Sequence, residues 1–396
     1  MRDHLVDLLT WWQAGAPVAV ATVTGTRGSS PRPVGTAMLV GPGGTVVGSV
    51  SGGCVEAAVY AEAEEVLATG LPRALRYGAG TETATGVGLT CGGAIDVFVE
   101  RIDRDTFPRL PEVVAAVHAG EAVAVSTCVA GPAAWLGRRV LVGPWGRHGS
   151  LGPAWLDEAV ARDARELLAE ARTEVRHHTV DGAEIAVLVA AYPPPPRMIV
   201  FGATDHAAAV ARVGALLGYR VTVCDARPAF ATRRRFPDAH EVVVDWPHRY
   251  LAAEARAGRV DGRTVLLAMT HDPKFELPLL RVALPLPVAY LGALGSRRAH
   301  ADRVAQLRAA GVGEQALARL AAPAGLDLGA ATPAETAVSI AAEVIAVRNG
   351  RPGGRLTDRT GRIHPPRPSS SLDGPSDEDA DRVDVCRSTA MAPGAS

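Results

Sequence analysis

The sequence predicts an α/β protein, in which an N-terminal α+β region built by internal duplication precedes a Rossmann-like, doubly wound parallel-sheet domain. Three observations point there. Segments of the first region recur later in the chain, the stretch from residue 198 alternates strand and helix, and the run Pro193 to Pro196 separates the two. Four consecutive prolines continue neither helix nor sheet and form a stiff extended spacer. The expected divisions are residues 1–190 (halves at about 1–105 and 106–190), a linker at 191–197, a second domain at 198–348 and a disordered tail at 349–396.

In the first region "AGAPVAVATV" (14–23) pairs with "AGEAVAVSTC" (119–128), and "AMLVGPGGTVVGSV" (37–50) with "RVLVGPWGRHGSLG" (139–152). "CVEAAVYAEAEEVLA" (54–68) lies over "WLDEAVARDARELLA" (155–169), an offset of 101 residues. Each half reads as helix, strand, strand, tight turn, strand and helix. Val55, Val59 and Val66 form the apolar face of the helix in one copy; Leu156, Val160, Leu167 and Leu168 form it in the other. In the second region strands are expected at Met198–Phe201, Arg220–Cys224, Glu241–Val244, Thr264–Ala268 and Val288–Leu291, with helices near 206–217, 274–283, 297–310 and 334–347. "TPAE" opens the last helix as a capping box, with Thr332 at N-cap and Glu335 at N3. The tail, "RPSSSLDGPSDEDADR", is too polar and too rich in Pro and Ser to bury a core.

Composition narrows the function. A net charge of −1 argues against a general nucleic-acid binder. Lys274 is the single lysine among 41 basic residues, a bias of composition rather than a mark of phosphate recognition. Five scattered cysteines with no metal-ligand spacing argue against a disulfide framework or a structural zinc, and no apolar run is long enough to span a membrane. A cytoplasmic protein with free thiols is the expectation.

The two copies differ where chemistry would sit. Gly52-Gly53-Cys54 is matched by Pro153-Ala154-Trp155, and the donor-rich loop "GTRGSSPRPVG", with Arg27, Ser29, Ser30 and Arg32, has no counterpart. A Gly-Gly turn at a helix start offers backbone amides that attract anions and favour a thiolate at Cys54, which then ligates a soft metal, carries sulfur or attacks as a nucleophile. Glu56, in the first helical turn, competes for the same dipole. Cys91 stands before two glycines at the mouth of a strand, as a second ligand or as a packed thiol in a glycine bulge. Cys128 and Cys224 read as core.

In the second region "VFGATDHAAAV" occupies the place of a dinucleotide fingerprint. Gly202 fits its first glycine, but Thr204 and Ala207 replace the others, which counts against NAD(P) binding. Asp225 falls where a ribose-binding acid would, with Arg227 beside it. His271 and Asp272, Ser296 with Arg297 and Arg298, and Asp327 follow later strands and converge on the same sheet edge.

The motifs "GSSPRPVGTAM", "GSVSGGCVE", "LTCGGAIDVFVE", "VTVCDARPAFATRRRFP", "MTHD", "YLGALGSRR" and "GLDLGAATPAETAVSIAAEV" together resemble the XdhC/CoxI family, accessory proteins of molybdenum hydroxylases such as xanthine dehydrogenase and carbon monoxide dehydrogenase. The resemblance implies binding of the molybdenum cofactor (molybdopterin), support of its sulfuration by a cysteine desulfurase, and delivery to an apo-hydroxylase. It implies the matched Cys54 and Cys91 as the thiols concerned and leaves open which of them contacts molybdenum; the difference between the two copies favours Cys54. A homo-oligomer is among the expected partners; nucleic acid and membrane are not. Two other functions fit the residues: an NAD(P)-dependent oxidoreductase with His271 as acid/base, and a sulfurtransferase carrying persulfide on Cys54.

Overall fold

A computed structural model of the chain describes residues 2–27, 32–78 and 93–358. The first half comprises α1 (Leu5–Gln13), β1 (Val18–Arg27), β2 (Ala37–Val40), β3 (Val46–Gly48), α2 (Glu56–Thr69), β4 (Arg73–Gly78) and β5 (Ala94–Ile102). The second repeats it as α3 (Leu110–His118), β6 (Val123–Ala130), β7 (Arg139–Gly143), β8 (Gly146–Gly149), α4 (Ala154–Ala169), β9 (Glu174–Val180) and β10 (Ala183–Tyr192). Their antiparallel sheets have the same strand order, β3-β2-β1-β5-β4 and β8-β7-β6-β10-β9. Each half thus carries two strands beyond those expected from sequence, β4 with β5 and β9 with β10, which complete the sheet behind the helix.

The inner strands of each sheet, such as β1 and β6, are buried on both faces, so they read as apolar runs, whereas the outer strands β3, β4, β8 and β9 are partly exposed. Along β1, Val18 and Val20 face α1 and α3 in a core shared by the two halves, whereas Ala19, Ala21 and Val23 face α2. In β6, Val123 and Val125 join the shared core, and Ala124 and Cys128 pack under α4. Val55, Val59 and Val66 are buried in one copy and Leu156, Val160 and Leu167 in the other. The shared core also holds an ion pair between the halves, Glu100 on β5 to Arg139 on β7 at 2.5 Å, beside a cavity of about 50 Å³. That volume takes a few waters and no pterin. Burial pushes the Glu100 carboxyl up despite Arg139.

Pro193–Pro196 carries no helix or strand. Arg2 binds the Pro193 carbonyl, Arg263 the Pro194 carbonyl at 3.1 Å, and the Pro196 carbonyl accepts the Arg220 amide at 2.8 Å.

The remaining elements are β11 (Arg197–Phe201), α5 (Asp205–Leu216), β12 (Arg220–Asp225), β13 (Glu241–Val244), α6 (Pro247–Arg256), β14 (Val265–Ala268), α7 (Pro273–Ala283), β15 (Tyr290–Ala293), α8 (Arg297–Ala309), α9 (Glu314–Leu317), β16 (Leu320–Ala321) and α10 (Pro333–Arg348). Their six strands form one parallel sheet, β13-β12-β11-β14-β15-β16. Met198 and Val200 of β11 face a core that also takes residues of α5 and α10; Ile199 and Phe201 face one that takes residues of α6, α7 and α8. The fold is doubly wound, as the alternation predicted. The expected Val288–Leu291 strand lies two residues later, because Pro285 and Pro287 lack amide donors and pairing with β14 begins beyond them. Helix α6 escaped notice because its apolar stripe is narrow: Pro247, Leu251 and Glu254 are its buried residues. The capping box at Thr332 and Glu335 is formed. No helix among the described residues is long and apolar enough to cross a membrane.

Candidate functional site

The sheets of the two halves share one strand order and differ at one end. Pairing of Thr22 with Ala37, Met38 with Gly48, and Arg27 with Ala94 brings the end of β1, the start of β2, the end of β3 and the start of β5 to the same side. Three connections therefore leave from this end: Arg27 to Ala37, Gly48 to Glu56, and Gly78 to Ala94. In the second copy the last of these is the two-residue turn Asp181–Gly182, where the first spans residues 79–93. Ser29, Ser30 and Cys91 lie outside the described residues; Arg27, which opens the first connection, and Arg32, within it, are exposed.

The Gly48–Glu56 connection is organised around a carboxylate. Glu56 accepts the amides of Ser51 (2.8 Å), Gly52 (2.9 Å), Gly53 (2.8 Å) and Val55 (3.2 Å), and the hydroxyls of Ser49 (2.6 Å) and Ser51 (2.5 Å). The Ser51 hydroxyl in turn accepts the amides of Cys54 (3.0 Å) and Val55 (3.2 Å). The amides expected from sequence to face a ligand are thus turned onto Glu56, since a carboxylate one residue past the turn is their nearest strong acceptor. Burial works to raise the Glu56 carboxyl, but these hydrogen bonds outweigh it and hold the group well below the ordinary carboxylate range.

Gly52 and Gly53 have φ of +93° and +123°, a region side chains avoid, with open space where a Cβ would stand. They are required by the bend rather than by packing, and they leave room for an incoming group. Cys54 is half-buried at the edge of the α2 core. Cys128 and Cys224 are fully buried, and burial pushes the Cys128 thiol up to about 11 and the Cys224 thiol higher. Both are packing residues, as read.

The second copy keeps the anchor without the thiol. Asp157, at the position of Glu56, accepts the Leu151 amide at 2.8 Å and pairs with Arg147 at 3.4 Å. There Trp155 stands, exposed, at the place of Cys54.

In the parallel sheet Gly202, Asp225, Arg227, His271, Asp272, Ser296, Arg297, Arg298 and Asp327 all sit at or just beyond strand C-termini, at one edge. Gly202 (φ +109°) passes within 3.0 Å of the Met269–Thr270 backbone measured from where a Cβ would be, so glycine is needed for close approach to the chain leaving β14. Asp225 is buried and engaged inside the protein. It accepts the Ala203 amide at 2.7 Å and, from one guanidinium edge of Arg227, the Nε and Nη2 groups at 2.9 and 2.8 Å. Burial works to raise its carboxyl, and those bonds hold it below the ordinary value. The acid expected to meet a ribose is therefore the clamp that fixes the β11–α5 turn. Thr204 caps α5 through the Ala207 amide, which explains its place where a fingerprint glycine was sought.

Ser296 caps α8 through the Ala299 amide, leaving Arg297 and Arg298 exposed in its first turn. His271 and Asp327 are exposed on their loops. Asp272 caps α7 and pairs with Lys274 at 3.1 Å; the hydrogen bond from Lys274 lowers its carboxyl. Sequence reasoning missed this use of the sole lysine, which also stacks over Phe275 at 4.7 Å. It missed Phe230 as well, held between Arg227 (4.6 Å) and Arg235 (5.5 Å). The singularity of Lys274 was a signal for the first; the second had none. Among the described residues no cluster of three or more His, Cys, Asp or Glu could hold a metal ion.

Comparison with known proteins agrees with this architecture. The XdhC and CoxI family matches residues 11–78 and 116–179, segments of the two halves, and the XdhC Rossmann domain matches residues 198–344. The chain is 28% identical over 334 residues to a probable xanthine dehydrogenase subunit of Bacillus subtilis, covering 83% of this chain and 92% of that one. It is 28% identical over 335 residues to the molybdenum cofactor insertion chaperone PaoD of Escherichia coli, covering 85% of each. The crystal structure of a xanthine dehydrogenase from Bacillus halodurans superposes with a TM-score of 0.66 at 26% identity, covering 88% of this chain and 96% of that one. On the family matches, the order of its motifs and the shared fold, this chain belongs to the XdhC and CoxI family.

Proposed function

We propose that the protein is a molybdenum-cofactor chaperone, which holds the cofactor as cargo, supports its sulfuration by a cysteine desulfurase, and delivers it to a cytoplasmic apo-hydroxylase of the xanthine dehydrogenase or carbon monoxide dehydrogenase type. The observation that carries the reading is the placement of the departures between the two copies. All three altered connections leave from one end of the first sheet, and the Gly52-Gly53-Cys54 turn is among them. A duplicated scaffold that folds without these loops has them for another purpose, and the similarity to a molybdenum cofactor insertion chaperone supports reading that purpose as holding the cofactor.

The residues fit the cargo. Cys54 offers a soft sulfur donor for molybdenum at a turn with open space beside two glycines. Arg27 and Arg32, with Ser29 and Ser30 between them, supply cationic and hydroxyl donors for the phosphate and the pterin edge. Cys91 is the second thiol in the same set of connections. The Rossmann edge, with Arg227, Arg297 and Arg298 exposed, is the second surface proposed for the cofactor's anionic end.

The test is delivery. Full-length protein purified from a cofactor-producing host is mixed with a cofactor-free hydroxylase, and activation is followed against the Cys54→Ala variant. The reading expects activation by the wild type and loss of about tenfold or more in the variant. Equal activation by both, or none by either, rejects it.

A further inference from the structure

The Ser49–Val55 connection has the form of an anion nest: consecutive amides at a glycine turn, opening onto the N-terminus of a 14-residue helix. Its occupant is already present. Glu56 takes four amides and two hydroxyls, and no other carboxylate among the described residues gathers as many donors. Cys54 is tied to that carboxylate through one intermediary, because the hydroxyl that accepts its amide donates to Glu56. The second copy shows the simpler form. Asp157 collects one amide, and no thiol follows from its loop.

We infer that Glu56 is a positioning residue for Cys54: by filling the nest itself, it turns an anion-binding turn into a rigid mount for a thiol. The inference rests on reading Cys54 as the group that meets the cargo. It adds a constraint on how the cargo binds. The phosphate of the cofactor is excluded from the α2 N-terminus, where a helix start would ordinarily take it, and the turn contributes sulfur alone. The phosphate is left to the arginines at neighbouring connections.

Alkylation of Cys54 in the full, cofactor-free chain tests this, with iodoacetamide as probe and peptide mass spectrometry to separate Cys54 from the other thiols. Emptying the nest in Glu56→Ala releases the amides and the helix dipole to a thiolate, so alkylation near neutral pH is expected to accelerate about tenfold. Formate, which refits the vacated nest, is expected to return the rate to near wild type. In Glu56→Gln the side chain still fills the space, so the rate rises without responding to formate. An unchanged rate in both variants, or an acceleration in Glu56→Ala that formate leaves untouched, overturns the inference. Buried Cys128 reports on folding within the same experiment. Should it react in Glu56→Ala, Glu56→Gln decides, and a wild-type rate there overturns the inference. A chain that binds no pterin while showing this alkylation pattern rejects the chaperone reading and leaves the role of Glu56 standing.

Discussion

The Ser51 hydroxyl lies 2.5 Å from Glu56 and 3.0 Å from the Cys54 amide, so one buried side chain links the anchor of the turn to the thiol it carries. Ser51→Ala removes that link and leaves the Cys54 and Val55 amides without their acceptor. A loss of about 1 kcal/mol in stability is expected, on the scale of a helix cap. Hydrogen exchange at the Cys54 and Val55 amides should accelerate while the α2 core stays protected. Unchanged exchange at those two amides would show that the link does not hold the turn.

The Glu56 carboxyl is depressed in the folded chain from an ordinary 4.5. Its contribution is therefore fully present above about pH 4.5 and is lost as pH falls through the lower folded value. Glu56 is partly open to solvent, so the contribution is kept to about 1 kcal/mol. Denaturation midpoints of wild type and Glu56→Gln should differ at neutral pH and converge in acid. A gap that widens in acid has the wrong sign for this linkage.

Transplanting the second copy's turn separates scaffold from function. Ser51→Gly, Gly52→Pro, Gly53→Ala, Cys54→Trp, Val55→Leu and Glu56→Asp together write the sequence that the chain itself folds at residues 152–157. The expected chain keeps its secondary structure by circular dichroism, within about 2 kcal/mol of wild-type stability, and retains no cofactor. Failure to fold would mean that Gly-Gly-Cys is part of the scaffold after all.

How far the sequence disclosed this site depends on the kind of signal each residue carries. The duplicated halves were legible because buried strands and amphipathic helices write their faces into periodicity, as Val55, Val59 and Val66 do. Comparison of the copies then isolated Cys54 without any coordinates. The roles of Glu56 and Asp225 were not legible. Each was assigned a relationship to something outside the protein or to a dipole, and each turns out to satisfy backbone amides within five residues or across a neighbouring strand. Linear spacing shows that an acid is near a turn, and only the path of the chain shows which amides face it. The two-residue shift of β15 has a similar cause: the apolar pattern begins at Val288, whereas the hydrogen bonds cannot begin until the prolines are passed.

Asp225 can be tested in the same way. Its Ala203 and Arg227 partners are fixed by a carboxylate that is buried while Arg227 remains partly open. Asp225→Ala leaves the Ala203 amide unpaired, and a loss of about 2 kcal/mol is expected by urea denaturation. Asp225→Asn keeps one acceptor and should lose less. Equal losses would point to packing rather than to the hydrogen bonds.

On the proposed function, Cys54 holds cargo at a turn the scaffold does not require. The most direct measurement is molybdenum and pterin content per chain, by elemental analysis and pterin fluorescence, for wild type and Cys54→Ser from the same cofactor-producing host. The expected result is pterin and molybdenum in the wild type and a loss of about tenfold or more in Cys54→Ser, whose hydroxyl is a poor ligand for a soft site. Equal content in the two proteins would contradict the account.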